Sequence, residues 1–213
     1  MNWNGQINVQ SIGILGGTFD PPHFGHLILA EYTREALALD HVLFVPVGGH
    51  PQKSDRLPIV HRMAMLELAI ANNHYFSIST VDIDRPAPHY SADTVRIIQE
   101  QYPQAQLYFV MGGDNWRSLP TWERARQLYE RARLAVMKRA DEDIWKNMHA
   151  DVLPGVEEQV QIIDVPLLSI WLSSTHVVER LREGKTVRYL VPDPVLDYID
   201  QHALYIPQDQ TVS

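Results

Sequence analysis

With 213 residues, 45% of them hydrophobic and 21% charged, the chain fits one globular domain with a sizeable core, plus at most one small appendage. Its 18 basic against 26 acidic residues leave a net charge of −8, which excludes a surface built to coat nucleic acid or grip an anionic membrane, while a basic pocket stays open. The absence of cysteine excludes disulfides, thiolate chemistry and Cys-based zinc sites.

Residues 1–10 read as a loose extension, 11–206 as one folded domain and 207–213 as a disordered tail. Met1 to Gln6 carry no charged segment followed by an apolar one, and no run reaches membrane-spanning length, so a cytoplasmic protein is expected. Ile12-Gly13-Ile14-Leu15 is short, apolar and cut by glycines, as a strand buried on both faces would be. From Leu27 to Leu39 apolar residues recur three and four apart, the spacing of a helix. His41 to Val47 reads as a second strand, and Gly48-Gly49-His50-Pro51-Gln52-Lys53-Ser54 after it has turn composition. Pro58 to Asn72 puts Met63, Leu66, Ala69 and Ile70 on one helical face, and Phe76 to Val81 alternates as a third strand with Asp82 and Asp84 marking its solvated end. Pro86 and Pro88 forbid helix up to that point, and Ser91 or Asp93 caps the helix that follows through Ile98. Leu107 to Met111 is a fourth strand. Thr121 is the N-cap of a helix opening at Pro120, Leu134 to Met137 a fifth strand and Gln161 to Val165 a sixth. Two last helices start near Ser174 and near Pro192, the second turning Val195, Leu196, Tyr198 and Ile199 inward. Asp141 to Gly155 is polar and carries no readable period.

Strands alternating with helices imply an α/β fold, a Rossmann-like doubly wound parallel sheet with right-handed crossovers and helices on both faces, in a single domain. Ligands then sit at the carboxyl edge of the strands. At that edge, between the first strand and the first helix, lies Gly16-Gly17-Thr18-Phe19-Asp20-Pro21-Pro22-His23-Phe24-Gly25-His26. Such a turn leaves unpaired N–H groups and the positive end of a helix dipole aimed at one spot, which suits a phosphate. Gly16 and Gly17 remove side chains that would hold an anion off the backbone. His23 and His26, three apart at the first helical turn, can both face that spot and donate hydrogen bonds to charge developing on phosphorus. The turn is not a GxGxxG fingerprint, and Gly184-Lys185-Thr186 is not a P-loop because position 179 is Glu. Asp20, His23 and His26 supply few metal ligands from one turn with no later HxxE or HxxxH to complete them, so no resident metal is expected.

GGTFDPPHFGH resembles the signature of the bacterial nicotinate-mononucleotide adenylyltransferases, in the nucleotidylyltransferase superfamily marked by (H/T)xGH, and separate motifs extend the likeness from Ile12 to Tyr205. The resemblance implies an enzyme that joins nicotinate mononucleotide to the AMP part of ATP, with Mg²⁺ carried by the ATP. The products would be deamido-NAD and pyrophosphate, formed by direct in-line attack without a covalent intermediate. It implies that His23 and His26 are catalytic and that the Gly16, Gly17, Thr18 and Phe19 backbone holds phosphates. Lys53, in HPQK where the family commonly has PPHK, adds charge there; Asp114 in GGDN meets ribose hydroxyls, and Ser174 and Thr175 join the ATP site. Tyr90 and Ser91 in PHYSADT resemble the segment that binds the nicotinate carboxylate, and Trp122 in PTWE matches a tryptophan that stacks on the pyridine ring. ATP and nicotinate mononucleotide are therefore the expected partners, with no nucleic acid and no membrane; self-association is left open.

One position departs from this pattern. Aligned on the family's SSTxIRxR, the first arginine is replaced by Val178, which neither binds phosphate nor offsets charge. Arg182, four residues on and on the same helical face, or Lys185 beyond it, is the expected substitute. Two other readings stay open: a nucleotide-binding protein of the same fold that has lost catalysis, and an adenylyltransferase for nicotinamide mononucleotide or phosphopantetheine.

Overall fold

A computed structural model describes residues 9–48, 56–139, 142–165 and 172–205. The first half runs β1 (Ser11–Gly17), α1 (Phe24–Ala36), β2 (His41–Pro46), α2 (Ile59–Ile70), β3 (Phe76–Ile78) and α3 (Ser91–Gln101). The second runs β4 (Gln106–Gly112), α4 (Gly113–Ser118), a 3₁₀ turn (Leu119–Thr121), α5 (Ala125–Arg131), β5 (Arg133–Lys138), α6 (Val156–Gln159), β6 (Val160–Asp164), α7 (Ser174–Arg182) and α8 (Asp193–Gln201).

Six strands form one all-parallel sheet in the order β3-β2-β1-β4-β5-β6. Alternate residues of each central strand enter different cores, as the period of two requires. Ile12, Ile14, Leu43, Val45, Leu107 and Phe109 face Val95, Ile98, Trp116 and Leu128 on one side. Leu15, Val42, Phe44, Val110 and Met137 face Ala30 of α1 and Leu66 and Ile70 of α2 on the other. A third apolar group joins α2 to α7 and α8 through Met65, Val177, Val195 and Ile199. The sheet thus has the expected doubly wound architecture, and its order reverses between β1 and β4, where such folds open a ligand crevice. Among the described residues no helix is long and apolar enough to cross a membrane.

Several local expectations need correction. The third strand stops at Ile78, and Asp82 is buried rather than solvated: its Oδ1 accepts from Arg85 (2.9 Å) and from the Thr94 hydroxyl (2.7 Å). The helix expected to be capped by Ser91 or Asp93 has Tyr90 as its N-cap without a side-chain bond. Thr121 caps nothing; its hydroxyl donates to the Ser118 carbonyl (2.8 Å) within the 3₁₀ turn, and α5 begins only after Arg124, which has a left-handed φ of 61°. Residues 142–155 pack as turns over α4: His149 Nε2 donates to the Trp116 carbonyl (2.7 Å), and the Trp116 indole donates to the Trp145 carbonyl (3.3 Å). The tail expected to be disordered and most of the N-terminal extension lie outside the described residues.

Candidate active site

The crevice at the sheet reversal is floored by bare backbone. A Cβ built on Gly16 at the end of β1, or on Gly112 at the end of β4, meets nothing within 4 Å. Gly17 is bare for another reason: a Cβ there would come within 2.9 Å of the Phe19 ring. That ring is fully buried, its residue has a left-handed φ of 51°, and it packs 5.7 Å from Phe44 and edge-on 4.9 Å from His26. Phe19 therefore belongs to the site through its backbone, while its side chain is core.

His23 is the N-cap of α1 and His26 stands one turn in; their rings stack with centroids 3.7 Å apart and planes 20° off parallel. The His23 backbone N–H donates to His26 Nδ1 (3.2 Å), which fixes the neutral His26 ring with its proton on Nε2. Gly25 makes this fold-back feasible, since a Cβ at that position would lie 2.9 Å from the His23 ring. His23 is 5% exposed, and burial pulls its pKa down to about 4 against a smaller opposing backbone hydrogen bond. Burial first, and the neighbouring His23 second, hold His26 well below the ordinary imidazole range. Both rings are neutral near pH 7, and their stacking disfavours a second proton once one ring is charged. A phosphate alongside acts in the opposite sense and raises both. His23 Nδ1 is buried without a hydrogen-bond partner among the described residues.

The head of α1 is less open than the sequence implies, because the Phe24 N–H donates to the Leu190 carbonyl (3.0 Å). The turn is instead held from below. Arg62 of α2, 2% exposed, donates from Nη1 to the Thr18 carbonyl (2.8 Å), from both Nη atoms to the Val47 carbonyl (3.0 Å each) and from Nε to the Leu57 carbonyl (3.2 Å). Asp20 accepts from the Leu57 N–H (3.0 Å) and the Tyr205 hydroxyl (2.5 Å). Burial chiefly, then the Asp20 charge, raises that phenol well above its usual range. Sequence reasoning missed Arg62 and Tyr205, because an arginine on an amphipathic helix reads as solvated and a tyrosine near the chain end carries no pattern.

Ser174, at the start of α7, joins the same turn: its hydroxyl donates to the Pro21 carbonyl (2.9 Å), while Ser173 caps the helix by accepting from the His176 N–H (3.2 Å). Thr175 is exposed beside it. Arg182 is exposed at the far end of α7 with no hydrogen bond or ion pair among the described residues, and Lys185 pairs with Glu183 (2.6 Å). Lys53 lies outside the described residues. On the other side of the reversal, Asp114 is exposed on α4, 3.3 Å from Arg117. The Trp122 indole donates to the Ser118 hydroxyl (3.2 Å), and its half-buried ring stands perpendicular to Phe109 at 6.2 Å. Arg124 links this segment to Tyr90 and Asp93, with its guanidinium 4.7 Å above the Tyr90 ring and 2.6 Å from the Asp93 carboxylate, while Ser91 opens α3 next to Tyr90. Arg85 holds the Tyr90 segment from within through the Pro88 (3.0 Å) and Tyr90 (3.4 Å) carbonyls.

Comparison with known proteins bears on this geometry. A family model described as cytidylyltransferase-like matches residues 14–180. A protein of Thermomicrobium roseum named probable nicotinate-nucleotide adenylyltransferase is 42% identical over 199 residues, covering 92% of each chain. A protein of the same name from a Roseiflexus species is 41% identical over 196 residues, covering 91% of this chain and 97% of its own. Among solved structures, the nicotinic acid mononucleotide adenylyltransferase of Plasmodium falciparum complexed with NaAD superposes with a TM-score of 0.76 at 20% identity, covering 92% of this chain and 97% of that one.

Proposed function

This chain belongs to the nicotinate-nucleotide adenylyltransferases of the cytidylyltransferase-like family, and from that premise we propose how it transfers an adenylyl group. The reaction joins nicotinate mononucleotide to the AMP part of ATP and releases pyrophosphate, a step of NAD biosynthesis. The observation that carries the site assignment is the stacked His23–His26 pair beside the bare backbone of Gly16 and Gly112.

ATP lies along the crevice with its phosphates over Gly16, Gly17, Thr18 and the Phe19 backbone, its ribose toward Asp114, and Ser174 and Thr175 closing the turn. Mg²⁺ enters as part of the ATP substrate; among the described residues no three His, Asp or Glu side chains gather to hold an ion. Nicotinate mononucleotide lies on the far side of the reversal, its ring on Trp122 and its carboxylate toward Tyr90 and Ser91. The 5′-phosphate oxygen attacks the α-phosphorus in line, and the bond to the pyrophosphate oxygen breaks. His23 and His26 donate hydrogen bonds to the oxygens that gain charge, His26 from Nε2, while the protein supplies position and charge rather than a nucleophile. Lys53 and Arg182 are the proposed supplementary cations.

Val178 favours one second reading, a nucleotide-binding protein of the same fold that releases no pyrophosphate. Pyrophosphate release from ATP and Mg²⁺ in parallel with nicotinate mononucleotide, nicotinamide mononucleotide and phosphopantetheine decides between them. The expected result is release with the nicotinate substrate in excess of the others; silence with all three overturns the catalytic reading.

A further inference from the structure

The buried guanidinium of Arg62 takes the Thr18 carbonyl of the turn after β1, the Val47 carbonyl after β2 and the Leu57 carbonyl ahead of α2. In a planar trans peptide the carbonyl and the following N–H point in opposite directions. Drawing the Thr18 carbonyl toward α2 therefore turns the Phe19 N–H away from α2, and among the described residues no acceptor takes that N–H up. Phe19 then continues with a left-handed φ of 51°, the kind of conformation that gathers backbone N–H groups into an anion-binding nest. The nearby Asp20 carboxylate already accepts from Tyr205 and Leu57, and Arg62 makes no direct ion pair with it.

We propose that Arg62 is the positioning residue of the phosphate turn: it pulls the Thr18 carbonyl inward so that the Phe19 N–H is presented to the ATP phosphates, with its own buried charge behind them. A lysine cannot substitute, because one ammonium does not reach three carbonyls with the spread of a planar fork. The inference rests on the proposed adenylyl transfer but is tested apart from it.

The chain contains five phenylalanines, so ¹⁵N-phenylalanine labelling of the full-length protein gives few amide lines, and F19L identifies that of Phe19. Adding ATP with Mg²⁺, without a second substrate, is expected to move the Phe19 line of the wild-type protein downfield. In R62K and R62Q, checked for folding by circular dichroism, that shift is expected to shrink. The KM for ATP should rise by about tenfold or more, the loss of a hydrogen bond to a charged group, while that for nicotinate mononucleotide stays within about twofold. An unmoved Phe19 line in a wild-type protein that turns over ATP overturns the proposal, as does a folded R62K with an unchanged KM for ATP. Should both variants fail to fold, the wild-type line alone decides. Absence of pyrophosphate release from the wild type, with the Phe19 line still moving, overturns the catalytic reading and leaves this one standing.

Discussion

Replacing Gly16 by alanine separates the demands of folding from those of the phosphate. The backbone at Gly16 is not among the positive-φ positions, and the new Cβ meets nothing within 4 Å, so the folded protein accommodates it without strain. A glycine replaced where alanine fits gains about 0.4 to 1 kcal/mol from the reduced freedom of the unfolded chain. For a chain of this length that is a rise in Tm of about 1 to 4 °C. On the proposed binding mode the same methyl group occupies the space in which a phosphate oxygen would meet the backbone. Losing one charge-assisted hydrogen bond there costs about 1.5 to 3 kcal/mol, or roughly 10- to 150-fold in kcat/KM for ATP. Scanning calorimetry and initial-rate measurements on Gly16→Ala should thus move in opposite directions. A stabilised variant with wild-type kcat/KM for ATP would refute the reasoning, since the crevice over β1 would then not be where the triphosphate lies. Gly17→Ala is the contrast: it overpacks the Phe19 ring and should lower stability by about 1 to 3 kcal/mol.

His26→Asn should lower kcat by about 10²- to 10³-fold, the usual loss of one transition-state donor, with little change in KM for ATP; stopped turnover assays under saturation check this. His23 and His41 both have folded pKa values pulled by burial from 6.5 to about 4, so the unfolded chain binds more protons between these limits. Their contribution to stability is complete above pH 6.5 and is lost as pH falls through 4, on the order of 3 kcal/mol apiece. Urea midpoints at pH 7 and 4.5 should differ accordingly, and His41→Asn should narrow the difference. Val178→Arg should raise kcat/KM for ATP if no other cation has replaced the missing one, and an unchanged value would assign the phosphates to other groups such as Arg182.

The elements whose logic is local could be read directly. Strands β1, β2, β4 and β5 announce themselves as short apolar runs closed by glycine, lysine or proline, and α8 by Val195, Tyr198 and Ile199 on one face. The β1–α1 turn was equally plain, since its glycines and imidazoles lie within one stretch of sequence. Readings failed where the deciding partner is distant. Asp82 looks solvated until Thr94, twelve residues on, is seen to share its oxygen with Arg85. Thr121 has the chemistry of an N-cap, yet the 3₁₀ turn through Pro120 delays α5 to Ala125. Arg62 looks like any polar residue of α2, and only its three carbonyl partners from separate segments reveal what it holds. The imidazole pair was expected to face an open anion site; instead burial holds both rings toward the neutral form and the Phe24 N–H is taken by the Leu190 carbonyl.

The hydroxyl of Tyr205 reaching back to Asp20, and the Leu190 carbonyl meeting the Phe24 N–H, tie the beginning of the chain to its end. A ribosome therefore delivers the β1–α1 turn early but its last supports late. A chain truncated after α7 retains every residue of the six strands and still lacks both braces around this turn. The bracing of this turn is accordingly completed only by segments synthesised well after the sheet itself.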